Sequence, residues 1–181
     1  MEPPLVWIDC EMTGLDQKND VIMEIGCLIT NNRLEVIDNE GYEAVIHCPK
    51  EKLDAMDSWC VRHHGASGLT KRCLESSNTM AQVEAELLAY LKRHVRPQKG
   101  ILAGNCIHQD RNFLAKDMPK VHDYLHYRII DVSSIKEVMK RHNPRLIKQM
   151  PYKQVKHTAR SDVEESIWEL KWYYDNYLKR N

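Results

Sequence analysis

An apolar run, Leu5-Val6-Trp7-Ile8, ends in Asp9-Cys10-Glu11, and that junction constrains this chain more than any other feature. The run has the composition of a buried strand. Alternate side chains of a strand share a face, so Asp9 and Glu11 project together. Two carboxylates set side by side repel each other unless something positive holds them. Clustered oxygens suit hard cations such as Mg²⁺ or Mn²⁺. Asp110 and Asp162 add two more carboxylates and give a site able to bind two such ions, the arrangement that cleaves phosphodiesters.

At 181 residues the chain is expected to form one domain, residues 1–181, with a sizeable core. No apolar run is long enough to span a membrane. Met1-Glu2-Pro3-Pro4 lacks the basic and apolar regions of a signal peptide. Six scattered cysteines without a C-x-x-C pair read as reduced thiols of an intracellular protein. Cys60-x-x-His63 has the spacing of half a zinc site, but no second pair accompanies it.

Net charge is zero but unevenly spread. Residues 1–60 hold 4 Lys/Arg against 13 Asp/Glu, and residues 61–181 hold 22 against 13. The window 136–160 carries eight basic residues and one acid, Glu137. A protein gripping long nucleic acid needs a strong basic excess to neutralise many phosphates. This chain lacks one, so a nucleic-acid substrate is expected to be short. The basic window also fits a solvated loop and helix face.

Hydrophobic patterning predicts strands over residues 5–9, 21–30, 33–37 and 42–47, with Asn31-Asn32 as a hairpin turn. Helical spacing runs over 53–64 and 79–94, the latter with Thr79 and Gln82 placed for a capping box. A buried strand at 101–103, a helix at 110–116, a strand at 128–131 and a helix at 133–142 follow. A polar stretch at 143–156 reads as a loop, and a last helix covers 161–178. Three N-terminal strands followed by alternating elements give an α/β chain with a mixed β-sheet flanked by helices. On that frame Asp9 and Glu11 leave the first strand, and Asp110 opens a helix after the buried strand. Asp162 lies in the first turn of the last helix, with His157 just before it. Sites in open α/β sheets form beyond strand ends, so these five residues can converge.

The motifs Asp9-x-Glu11-Met12-Thr13-Gly14-Leu15, Gly104-Asn105-Cys106-Ile107-x-x-Asp110-Arg111 and His157-x-Ala159-x-x-Asp162 resemble the three exonuclease motifs of the DEDDh 3′–5′ exonuclease superfamily. Two further segments, around Trp59-Cys60-x-x-His63-His64 and Leu125-His126-Tyr127-Arg128, resemble its oligoribonuclease branch, and the resemblance runs from about residue 5 to 177. It implies a ribonuclease-H-like exonuclease fold and a homodimer that degrades very short single-stranded RNAs to nucleoside 5′-monophosphates. Asp9, Glu11 and Asp162 would hold one Mg²⁺ or Mn²⁺ with the scissile phosphate, Asp9 and Asp110 would help place the other, and His157 would serve as general base.

The resemblance also implies a substrate pocket. Leu15 would wedge between terminal bases, Trp59 and the partner copy's Tyr127 would bracket them, and His64 would line the site. Cys106, Ser133 and Arg128 from the partner would cap the 5′ phosphate. Cys106 replaces a common serine, and a thiol is a poor donor, so length discrimination is expected to loosen. Arg160 replaces an apolar residue, which would alter the packing of the loop carrying the base or add a phosphate contact. The cytosol is the default compartment, and the resemblance admits mitochondria. Two other readings stay open, a DEDDh exonuclease acting mainly on DNA and a non-catalytic oligonucleotide-binding module.

Overall fold

A computed structural model describes residues 3–151 and 158–178. Strands β1 (Leu5–Met12), β2 (Ile22–Thr30) and β3 (Tyr42–Val45) come first, followed by helices α1 (Lys50–Asp54), α2 (Ser58–Ala66), α3 (Leu69–Glu75) and α4 (Met80–His94). Then come β4 (Ile101–Gly104), α5 (Ile107–Asp117), α6 (Pro119–Tyr124), β5 (Ile129–Asp131), α7 (Val132–His142), α8 (Pro144–Ile147) and α9 (Ala159–Asn176). The five strands form one mixed sheet in the order β3-β2-β1-β4-β5. The first three are antiparallel neighbours, and β1, β4 and β5 run parallel.

The alternation along β1 divides the core. Val6, Ile8 and Cys10 pack with α4, α5 and α6 residues such as Leu87, Phe113 and Val121. Leu5 and Trp7 face the other way, onto Val163, Ile167, Leu170 and Tyr173 of α9 and Met139 of α7. The Trp7 indole also donates to Thr30 Oγ1 at 2.9 Å, so its one polar atom is satisfied inside the core. Asp9 and Glu11 share the α9 face, and β1, as the central strand, carries them to the middle of the molecule.

Several expected boundaries move, each for a local reason. No strand forms at 33–37. Asn31 Oδ1 accepts the amides of Arg33 (2.8 Å) and Glu35 (3.1 Å), closing a wider loop in which Leu34 has φ 64. Only the bridge between Thr30 and Val36 remains of the expected hairpin. The helix expected at 53–64 is two, because Asp57 Oδ1 caps a new start at α2 by accepting from Trp59 N (2.8 Å) and Cys60 N (2.9 Å). α3 and α6 were not anticipated. α8 opens inside the stretch expected to be loop, with Asn143 Oδ1 accepting from Leu146 N at 3.2 Å.

Candidate active site

The sheet and α9 bring three acids together. One carboxylate oxygen each from Asp9, Glu11 and Asp162 lie within 4.8 Å of one another. Asp162 reaches the pair because it sits in the first turn of α9, whose start is fixed by a reciprocal cap between Thr158 and Ser161. Asp110 is buried in the first turn of α5, and its Oδ1 accepts the backbone amide of Cys10 at 2.8 Å. That bond ties α5 to β1 between Asp9 and Glu11. His157, the expected base, lies outside the described residues.

The electrostatics of the cluster are those of crowded, buried carboxylates. Burial, then the charges of Asp110, Asp162, Glu11 and Glu24, push Asp9 well above the ordinary carboxylate range. Glu11 rises to about 7, mainly through burial and then the charges of Asp162 and Glu24, with Arg72 pulling the other way. Burial lifts Asp110 to about 7 against the opposing hydrogen bond from Cys10. A divalent cation relieves all of these strains at once, and the all-oxygen donor set fits Mg²⁺ or Mn²⁺.

Two residues absent from the sequence-derived set support this geometry. Glu24 lies directly opposite Glu11 in the β1–β2 ladder, is buried, and pairs with the Arg72 guanidinium. Its other oxygen lies 3.4 Å from the Ala159 amide at the start of α9. Gly26 lies opposite Asp9, and a Cβ there would come within 2.8 Å of the Ala159 carbonyl carbon and the Arg160 nitrogen. A glycine inside an otherwise large-residue strand is a signal from which such a close approach could have been read; one more acid in β2 gave none. Arg160, expected to act on the loop carrying the base or on a phosphate, makes other contacts among the described residues. Its guanidinium donates to Asn39 O (2.8 Å), Glu40 O (2.7 Å) and Glu164 Oε1 (2.8 Å).

The remaining expected residues fall in four places. Leu15, 67% exposed, stands on a loop organised by Asp20, which accepts from Thr13 Oγ1 at 2.8 Å and Asp16 N at 2.9 Å. On α2, Trp59 is 60% exposed and stacks on His63 at 4.5 Å, while His64 is buried against Met12 O at 2.9 Å. Burial keeps the His64 pKa below its ordinary value. Cys106, in a left-handed conformation before α5, donates its amide to Ser133 Oγ (2.9 Å) and Asp131 Oδ1 (3.0 Å), and the Ser133 hydroxyl lies 3.4 Å from the Cys106 sulfur. Asp131 thus organises that corner. Tyr127 is 70% exposed, stacked on His126 at 4.5 Å, with the Arg128 guanidinium 5.3 Å from its ring centre.

Comparisons with known proteins show the family and the fold. The profile of the RNase T-type exonucleases matches residues 6–170. The mitochondrial oligoribonuclease of Saccharomyces cerevisiae is 55% identical over 97% of this chain and 68% of its own. The human mitochondrial oligoribonuclease is 45% identical over 99% of this chain and 76% of its own. The oligoribonuclease of Marinobacter nauticus is 44% identical over 97% and 96%. Among solved structures, E. coli exonuclease I in complex with a dA16 oligonucleotide superposes with a TM-score of 0.75 at 13% identity, which is a likeness of fold. The superposition covers 97% of this chain, which spans 42% of that larger one.

Proposed function

The chain belongs to the RNase T-type exonuclease family and, within it, to the oligoribonucleases, and from that premise we propose that it is a metal-dependent 3′–5′ exoribonuclease degrading oligoribonucleotides of a few residues to nucleoside 5′-monophosphates. The observation that carries the reading is the convergence of Asp9, Glu11 and Asp162 from a central strand and a distant helix, with Asp110 bonded to the strand between them.

Asp9, Glu11 and Asp162 are the residues that would hold one Mg²⁺ or Mn²⁺, and Asp9 with Asp110 the other. Bound there, the two ions supply charge stabilisation for the attacking and leaving oxygens of the phosphodiester. His157 takes the proton from the attacking water, a task for which imidazole is suited near neutrality. Leu15 separates the two terminal bases, Trp59 stacks on one, and His64 lines the pocket floor. Stacking suits an enzyme that must accept any base, since every base offers a π-face.

The length preference is assigned to a cap around the 5′ phosphate formed by Cys106, Ser133 and Arg128. Arg128 and Tyr127 act in the site of a second copy of the chain, in a homodimer. Their exposure on one protomer is consistent with that role. The guanidinium fork suits a terminal phosphate. Two relatives carry mitochondria in their names, and we propose mitochondria alongside the cytosol as the place of action.

The roles of the acids are tested by Asp162→Ala. The side chain is half-buried and not part of either apolar cluster, so the variant should fold with an unchanged circular dichroism spectrum and lose Mg²⁺-dependent hydrolysis of a diribonucleotide by at least a thousandfold. Near-normal turnover would remove Asp162 from the metal set.

A further inference from the structure

His63 and His64 stand next to each other on α2, beside the end of β1 that carries Glu11. The Nε2 atom of His64 lies 2.9 Å from the Met12 carbonyl oxygen. A carbonyl oxygen only accepts, so Nε2 bears the ring proton, and Nδ1 of the neutral ring presents a bare lone pair. That lone pair is buried and faces a carboxylate, Glu11 Oε2, at 3.9 Å. Among the described residues no hydrogen bond reaches Nδ1. A buried acceptor turned toward another acceptor is unfavourable until a cation or proton lies between them.

A ring nitrogen of His63 completes the group. One ligand atom each from Glu11, His63 and His64 lie within 4.8 Å of one another. The His63 ring is held flat against Trp59, with 12° between the planes. The outer contact is also that of a metal-bound histidine, whose second ring nitrogen donates to a backbone carbonyl. The half-motif Cys60-x-x-His63 noted in the sequence resolves differently, for the Cys60 sulfur lies 3.6 Å from Asp57 Oδ2.

We propose that Glu11, His63 and His64 form a second kind of cation site, selective for imidazole-seeking transition ions such as Zn²⁺ and distinct from the all-carboxylate site beside it. Two nitrogens and one oxygen match zinc, whereas Mg²⁺ keeps to oxygen ligands. Zinc–nitrogen bonds of about 2.0–2.1 Å require the three ligand atoms to draw together by roughly 1 Å, and a fourth position stays open. Glu11 is common to both groups. Zn²⁺ held by the histidines therefore withdraws Glu11 from Asp9 and Asp162 and inhibits Mg²⁺-supported hydrolysis. This last consequence rests on the exonuclease reading; the binding does not.

The test is calorimetric titration of Zn²⁺ into the full chain without Mg²⁺ or RNA, with X-ray absorption on the zinc-loaded protein. His63→Phe keeps a ring against Trp59 and removes a ligand, and His63→Gln serves if the larger ring disturbs folding. The wild type should bind Zn²⁺ with nitrogen neighbours at about 2.0–2.1 Å. Either variant should bind it at least tenfold more weakly while binding Mg²⁺ as before. Equal Zn²⁺ affinity in wild type and variants, or a zinc environment of oxygen alone, overturns the proposal. In a separate assay with Mg²⁺ and a diribonucleotide, Zn²⁺ should inhibit the wild type at concentrations that leave His63→Phe active. Absence of any hydrolysis would count against the exonuclease function, and the titration would still decide the zinc site.

Discussion

Glu11 and Asp110 each hold their last proton up to about pH 7, against ordinary values of 4.5 and 3.8. Burial raises both, so the folded metal-free protein binds more protons than the unfolded chain between those limits. The stability associated with these protonated carboxyls is fully present below about pH 4 and is lost as pH rises through about 7. We expect the metal-free melting temperature to fall between pH 5 and 8, and saturating Mg²⁺ to raise it more at pH 8 than at pH 5. A metal-free melting temperature that climbs across this interval would contradict the crowded cluster. Trp59→Ala should raise KM for a diribonucleotide by an amount equivalent to about 1–3 kcal/mol of stacking, with kcat less affected, as steady-state kinetics would show. The two residues on β1 were legible because strand periodicity alone puts Asp9 and Glu11 on one face. Glu24 was not, since its significance comes from the register with Glu11 and from Arg72, neither of which a linear pattern encodes.

β2 and α9 act as a pair, and that pairing sets where Asp162 stands. Gly26 lets the first turn of α9 lie on the strand, and Glu24 accepts from the Ala159 amide while Arg160 grips the carbonyls of Asn39 and Glu40. Gly26→Ala should push that turn outward, because the added Cβ meets backbone that cannot swing aside. Diribonucleotide turnover should drop at least tenfold, and thermal melting should show a loss of about 1–3 kcal/mol, typical of overpacking. Unchanged kinetics would mean that the start of α9 is not set by this contact. Patterning identified long elements with clean stripes, such as α4 and α9, and failed where one side chain decides. Asp57 divides a helix that apolar spacing ran together, and Asn31 opens a loop where alternation suggested a hairpin. Capping and side-chain-closed loops are three-dimensional hydrogen bonds, and hydrophobic period carries no trace of them.

The molecule as a whole is a mixed sheet whose central strand brings two acids to the start of α9, where Asp162 joins them, with two exposed residues, Tyr127 and Arg128, just before β5. The fold class was readable from the order of elements, and the convergence of Asp9, Glu11 and Asp162 from their positions at element ends. Residue patterning carries no sign of assembly; the proposed homodimer rests on the family resemblance, and Tyr127 is exposed as that proposal requires. Cys106→Ser should place a hydroxyl donor at the proposed 5′-phosphate cap and sharpen the preference for dinucleotides over longer RNAs, seen as a larger ratio of kcat/KM values. The account's central claim is a short-RNA exonuclease built on the four-carboxylate site. The measurement that tests it most directly is hydrolysis of 5′-labelled RNAs, from dinucleotide to about twenty residues, with Mg²⁺ and with chelator, beside DNA of matched lengths, a range set by the stacking pocket and its cap. The account predicts Mg²⁺-dependent cleavage that is fastest for RNAs of two to a few residues and abolished by chelator. Cleavage independent of length, faster on long DNA, or undiminished by chelator would contradict it.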